Sequence, residues 1–150
     1  MTIKTTVEEQ WRGKEVKIKG KAATGRSAFE IGLIVEGQAK LLCAVDTGRL
    51  AASITTASFD KRSAESKKTS SLAAGRIHRK PLPGDLIDPP TDPNEVLVGT
   101  PVFYGPYIEF GVNGKNGQPF LRPGFTLAKG EALTIMMVEG RLQFKEFLVA

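Results

Sequence analysis

Few side chains in this chain could do chemistry. His78 is the only histidine, and it lies in the basic run Arg76-Ile77-His78-Arg79-Lys80. A single histidine excludes a multi-histidine metal site, and its place in a solvated basic run argues against a catalytic triad. Cys43 is the lone cysteine; it has no internal disulfide partner, no metal-ligand spacing and no histidine nearby, so it reads as a small core residue. Asp85, Asp88, Asp92 and Glu95 are close in sequence but fall in a proline-rich stretch without calcium-loop spacing. They read as a solvated loop rather than as paired carboxylates in a cleft. Gly99 to Gly114 is glycine-rich yet lacks the strand, Gly-x-Gly-x-x-Gly and helix of a dinucleotide site. The expectation is a protein without catalytic residues, cofactor or metal.

The remaining charged candidates are of another kind. Lys67, Lys68, Arg76, Arg79 and Lys80, with His78 among them, form a basic run that could touch phosphate. No aromatic accompanies it to stack on bases, so a solvated loop is the plainer reading. Arg49 and Glu109 are charges flanked by apolar residues in two separate segments, and a pair between them across the core edge is expected, since a lone charge there would be costly. Asp46 most simply caps a turn. Tyr104, Tyr107 and Phe110 suit a core or an interface between subunits as well as a ligand contact.

The elements that must position these residues can be read from periodicity. The chain has 150 residues and a formal charge of +5, from 21 basic and 16 acidic side chains. This is enough for one domain with its own core, and it gives only mild attraction to polyanions. Ile31, Ile34, Val35, Ala39 and Leu42 fall on one stripe, which predicts a helix over much of Lys14 to Cys43. Its start is open: Ser27 with Glu30 matches a capping box, while Val16 and Ile18 alternating with lysines could be a short strand. Asp46-Thr47-Gly48 should turn the chain. Ile54 to Phe59 and Glu95 to Thr100 read as two strands of a hairpin with a very long loop, Lys61 to Asn94, which is polar and then dense in proline. Tyr104 to Phe110 is a turn or short helical segment, and Asn113 to Gly117 a flexible connection. Gln118 to Pro123 should be extended, because proline disfavours the α region for its predecessor. A second helix follows from Gly124, weakened by Gly130 and Gly140. No stretch approaches the length of a membrane span and the N-terminus lacks the apolar run of a signal peptide, so synthesis in a cytoplasm and no membrane contact are expected.

At Val45-Asp46-Thr47-Gly48-Arg49-Leu50 with Ser53-Ile54, then Tyr104-Gly105-Pro106-Tyr107-Ile108-Glu109-Phe110-Gly111, then Pro119-Phe120-Leu121-Arg122-Pro123, the chain resembles the tail-completion, or head-tail joining neck, family of long-tailed bacteriophages. The three segments occur in the family's order. The resemblance runs from about Lys14 to the C-terminus, departing in the length of the Pro81 to Pro93 stretch and in the glycines of the last helix. It implies an α+β subunit, with a long N-terminal helix packed on a small antiparallel sheet and a C-terminal helix. It further implies a homo-oligomeric ring, a hexamer by expectation, at the junction of capsid and tail. Its partners would be the phage connector and tail-tube or tail-terminator proteins, and its location the virion, after synthesis in the bacterial host. A tail terminator or another minor tail component is the nearest alternative, and a small basic nucleic-acid-binding protein a further one. On this reading the long loop orders on meeting a neighbour, and its basic run could touch packaged DNA non-specifically.

Overall fold

The computed structural model describes residues 12–44, 48–60, 86–92 and 94–148. Asp46, Thr47 and the basic loop residues Lys67, Lys68, Arg76, His78, Arg79 and Lys80 lie outside them. The fold is α+β: a long N-terminal helix packs on a small antiparallel sheet and against a C-terminal helix.

Helix α1 spans Gly13–Leu42, 30 residues, or about 45 Å at 1.5 Å per residue. It begins upstream of Ser27, so the capping-box reading is corrected. Ser27 lies inside the helix and its hydroxyl donates to the Thr24 carbonyl at 3.0 Å. The strand alternative at Val16 and Ile18 also falls, because Val16 N–H already bonds the Arg12 carbonyl at 3.1 Å as part of a continuous helix. Two alternating pairs are too short a pattern to outweigh that continuity. The helix stops at Cys43, whose backbone turns extended (ψ 135°) after its N–H closes on Ala39.

Gly48 takes the left-handed conformation (φ 74°) and leads into the short helix α2, Arg49–Ser53. Strand β1, Thr55–Ser58, then pairs antiparallel with β2, Val96–Gly99, with Thr55 opposite Gly99 and Ser58 opposite Val96. This is the long-looped hairpin expected from the sequence. The sheet lies against α1 at Gly32, where a Cβ would stand 2.6 Å from Thr56 Cγ2 and 2.9 Å from Val96 Cγ1. Glycine lets the sheet approach closely enough for the Thr56 hydroxyl to donate to the Gly32 carbonyl at 3.0 Å.

Helix α3, Gly105–Phe110, is followed by β3, Gly111–Val112, and β4, Lys115–Asn116. The segment expected to be a flexible connection is a hairpin. Asn113 (φ 50°) and Gly114 (φ 75°) both sit at positive φ, the requirement of the Asn-Gly turn whose twist matches its flanking strands. Helix α4, Leu121–Leu148, starts where an extended segment was expected and runs uninterrupted through Gly130 and Gly140. Pro123 falls in its first turn, where the missing N–H does no harm.

Helices α1 and α4 are antiparallel: Gly124 abuts Ala39 at one end and Phe144 abuts Gly20 at the other. The core gathers where α1 ends and α4 begins, around Ala39, Cys43, Leu50, Ala51, Ile54, Val102 and Phe120. A Cβ on Gly124 would stand 2.9 Å from the Ala39 backbone nitrogen, whereas Gly130 and Gly140 have nothing within 4 Å. Alanine should therefore act in opposite senses along one helix. Gly130→Ala and Gly140→Ala should each stabilise by about 0.5–1 kcal/mol through propensity. Gly124→Ala should lose on the order of 1 kcal/mol net, as overpacking against backbone outweighs that gain. Urea denaturation midpoints of the three variants check this, and a shared sign would refute the close crossing at Ala39.

Candidate assembly site

Two of the sequence segments meet at Glu109. Helix α3 turns this residue inward, to 4% exposure, and aims its carboxylate at the beginning of α4. Oε2 accepts the backbone N–H of Phe120 at 2.7 Å and of Leu121 at 2.9 Å; Oε1 accepts that of Arg122 at 3.1 Å. An α-helix opens with four N–H groups that have no partner within it. Here the first internal bond runs from Gly124 N–H to the Phe120 carbonyl at 3.1 Å, leaving residues 120 to 123. Glu109 takes the first three, and the fourth is Pro123, which has no N–H.

The arrangement is tightened by the guanidinium of Arg122. Its Nε donates to Glu109 Oε1 at 3.1 Å and its Nη2 to the Glu109 carbonyl at 3.5 Å, while its cationic carbon lies 4.8 Å from the centre of the Phe110 ring. Gln118 N–H donates to the Ile108 carbonyl at 2.7 Å, fastening the connecting hairpin to α3. Burial pushes the Glu109 carboxyl pKa upward, but the three backbone donors and the Arg122 side chain more than offset it, so it lies below its ordinary value. The helix N-terminus and the carboxylate stabilise each other.

The expected pair between Arg49 and Glu109 is thus corrected: the cation on Glu109 is Arg122. Arg49 instead opens α2, partly buried. The carboxylate is drawn to α4 by three donors at once, an attraction that a single side-chain cation does not match. The other singled-out residues divide between frame and display. Leu50 and Phe120 are core, Gly48 supplies the left-handed turn, and Tyr104 packs against the core cluster. Tyr107 and Phe110 point outward, 54% and 67% exposed, and Arg122 stays largely exposed.

Two features were missed in the sequence. Phe103, 78% exposed, stands edge-on to Tyr104 with ring centroids 5.3 Å apart; its neighbour Pro101 and the turn it occupies were the available signal. Glu36 is buried on α1, with one oxygen on Lys40 and Oε2 without a hydrogen-bond partner among the described residues. Its place between Val35 and Gly37, inside the predicted packing stripe, was the hint.

Beside the capped helix end runs an open apolar groove of about 680 Å³, walled by Ile31 and Val35 of α1, Val96 and Val98 of β2, and Leu121 and Phe125 of α4. Arg122 lines it too and, through its stacking on Phe110, joins the groove to the exposed aromatics of α3. What this arrangement offers is a rigid apolar surface. Among the described residues, no cluster of His, Cys, Asp or Glu is placed to hold a metal ion, and no helix is long and apolar enough to cross a membrane.

No protein-family model matches the chain, and no curated protein or solved structure matches it significantly.

Replacing Glu109 by Gln keeps the size but removes the charge and one acceptor oxygen, which should cost about 2–3 kcal/mol because hydrogen bonds to a charged acceptor are the strong ones. The pH dependence has a definite sign. A carboxyl with a lowered folded pKa contributes fully above its unfolded value, near the ordinary 4.5, and that contribution is lost as pH falls through the lower folded value. Urea midpoints of wild type should therefore drop below about pH 4.5 more steeply than those of Glu109→Gln. Parallel curves would show that the cap carries no linked proton.

Proposed function

We propose that this chain is a structural subunit of a long-tailed bacteriophage, acting at the head–tail junction as a tail-completion or neck protein by assembling into a ring. The observation that carries this reading is the junction at Glu109, which binds together two of the three motif segments. One buried carboxylate rigidifies the unit, and the aromatic residues around it are displayed rather than packed. Phe103, Tyr107 and Phe110 at this end, and Leu133, Met137 and Leu142 on α4, are all more than half exposed. Apolar surface on this scale marks association sites more often than free surface.

The distribution suits a ring. A head-to-tail interface joins two different patches, and it closes when the rotation per subunit is right. The groove and aromatics lie at the start of α4, whereas Leu133 to Leu142 lie further along it, Leu142 being about 30 Å from Arg122 at 1.5 Å per residue. One molecule thus carries exposed apolar side chains along α4 from Phe125 and Leu127 to Leu142, so the two ends of a stiff frame offer different apolar surfaces. The assembly we propose, on the resemblance, is a homo-oligomeric ring, a hexamer by expectation, with the connector and tail-tube or tail-terminator proteins as its neighbours. The virion is the corresponding location. Buried Cys43 and the committed Glu109 give little support to a catalytic alternative.

Micrographs of particles made without this protein are the direct test. Filled heads beside separate, intact tails are expected. Abnormally long tails would instead assign it to length termination, and absence of heads would refute both roles. At the level of the subunit, Phe103→Asp with Phe110→Asp should abolish self-association in sedimentation while shifting thermal stability little, because both rings are mostly exposed. Unchanged association would remove the aromatic patch from the interface.

A further inference from the structure

We propose that the end of the α1–α4 pair remote from the core is a contact surface for the phosphate backbone of duplex DNA. Between residues 12 and 26, α1 carries Arg12, Lys14, Lys17, Lys19, Lys21 and Arg26 against one carboxylate, Glu15. That carboxylate is engaged by Arg12 at 3.2 Å. Lys14, Lys17 and Lys21 are all exposed, and their spacing of three and four residues sets them along one face of the helix. The stripe is about 10 Å long at the helical rise. Because α4 runs antiparallel, with Phe144 against Gly20, it brings the exposed Arg141 and Lys145 to the same end.

This concentration of charge opposes the helix that carries it. Like charges three and four residues apart repel along a helical face, and cations in the opening turns sit at the positive end of the helix dipole. Arg12, at the N-cap, provides no side-chain hydrogen bond to the free N–H groups. A polyanion laid along the stripe relieves both repulsions and gains by releasing its own counterions. The described residues of this end expose no aromatic for stacking on bases, and Phe144 is packed on α1. Among the described residues this is a rigid row of cations, and its even spacing along a straight helix fits the regular backbone charge of a duplex.

The proposal stands on the charge of the helix pair and does not rest on the head–tail reading. It is tested on the full chain by fluorescence anisotropy with a short random-sequence duplex over a range of salt. Wild type should bind with an affinity that falls linearly on a log–log plot. The triple variant Lys14→Gln, Lys17→Gln, Lys21→Gln should bind about tenfold or more weakly and lose about 0.9 of slope for each phosphate contact removed. The corresponding arginine triple should bind like wild type. Glutamine is a good helix former at exposed positions, and circular dichroism confirms that the helices persist. Binding of the glutamine triple equal to wild type, no binding by wild type at low salt, or preference for vesicles of anionic phospholipid over the duplex would each overturn the assignment.

Discussion

The structure depends on one carboxylate meeting one helix end. Three backbone donors at the start of α4 converge on Glu109, and proline occupies the place of the fourth. Phe120, whose N–H is among the three, is completely buried. Without the carboxylate, its donor would be left in the core without water, a cost comparable to the strongest single contacts in a small domain. The same interaction fixes α3 relative to α4 across the intervening hairpin, so the exposed aromatics of α3 are held against a helix rather than carried on a loose loop. Display of Tyr107 and Phe110 is a consequence of where α3 must point: with Ile108 and Glu109 turned to the core and the start of α4, Tyr107 and Phe110 lie on its outer side.

Close backbone approach is the second constraint. Helix α1 is shared by both layers, meeting the sheet at Gly32 and α4 at Ala39, where Gly124 removes the obstructing Cβ. Both approaches concentrate in the C-terminal half of α1, near the compact core. Toward the other end only the helix pair remains among the described residues, so α4 has a face that none of them covers. The exposed Leu133, Met136, Met137 and Leu142 follow from that geometry, since a two-layer arrangement with one long helix outermost cannot bury both sides of it.

Local patterns made much of this legible, and long-range competition hid the rest. The stripe of Ile31, Val35 and Ala39 identified α1, and β-branched runs identified the two paired strands across their long loop. The start of α4 was misread because the bias of a residue before proline is local, whereas the cap that overrides it comes from a residue eleven positions earlier. Ser27 was misread for the complementary reason: a residue that favours caps remains inside a helix when tertiary packing continues on both sides of it. The Asn-Gly pair reads locally as a flexible connection, whereas two positive-φ residues between strands make a defined hairpin. Arg49 and Glu109 were each correctly set apart as charges at the core edge. Pairing them overlooked that a helix start is itself a cationic partner, closer along the chain and offering several donors at once.

The state of Glu109 also bears on what kind of protein this is. A carboxylate that serves as a general acid or base must change protonation near the working pH. This one is held ionised by donors it cannot leave without opening the helix, so it is suited to rigidity and poorly suited to proton transfer. Rigidity matters for an assembly subunit because apolar attraction between copies has no direction of its own. Orientation has to come from the shape of the subunits, and a small angular error repeated around a ring prevents closure. A helix end clamped by a multiply bonded carboxylate, beside an aromatic display, supplies that shape where neighbouring copies would meet. The same reasoning separates the two ends of the helix pair. Where the core is dense the surface is apolar and fixed, as packing against a copy requires. Where the core gives out, α1 presents a basic stripe beside the exposed apolar face of α4, and a regular line of charge makes weaker geometric demands on its partner.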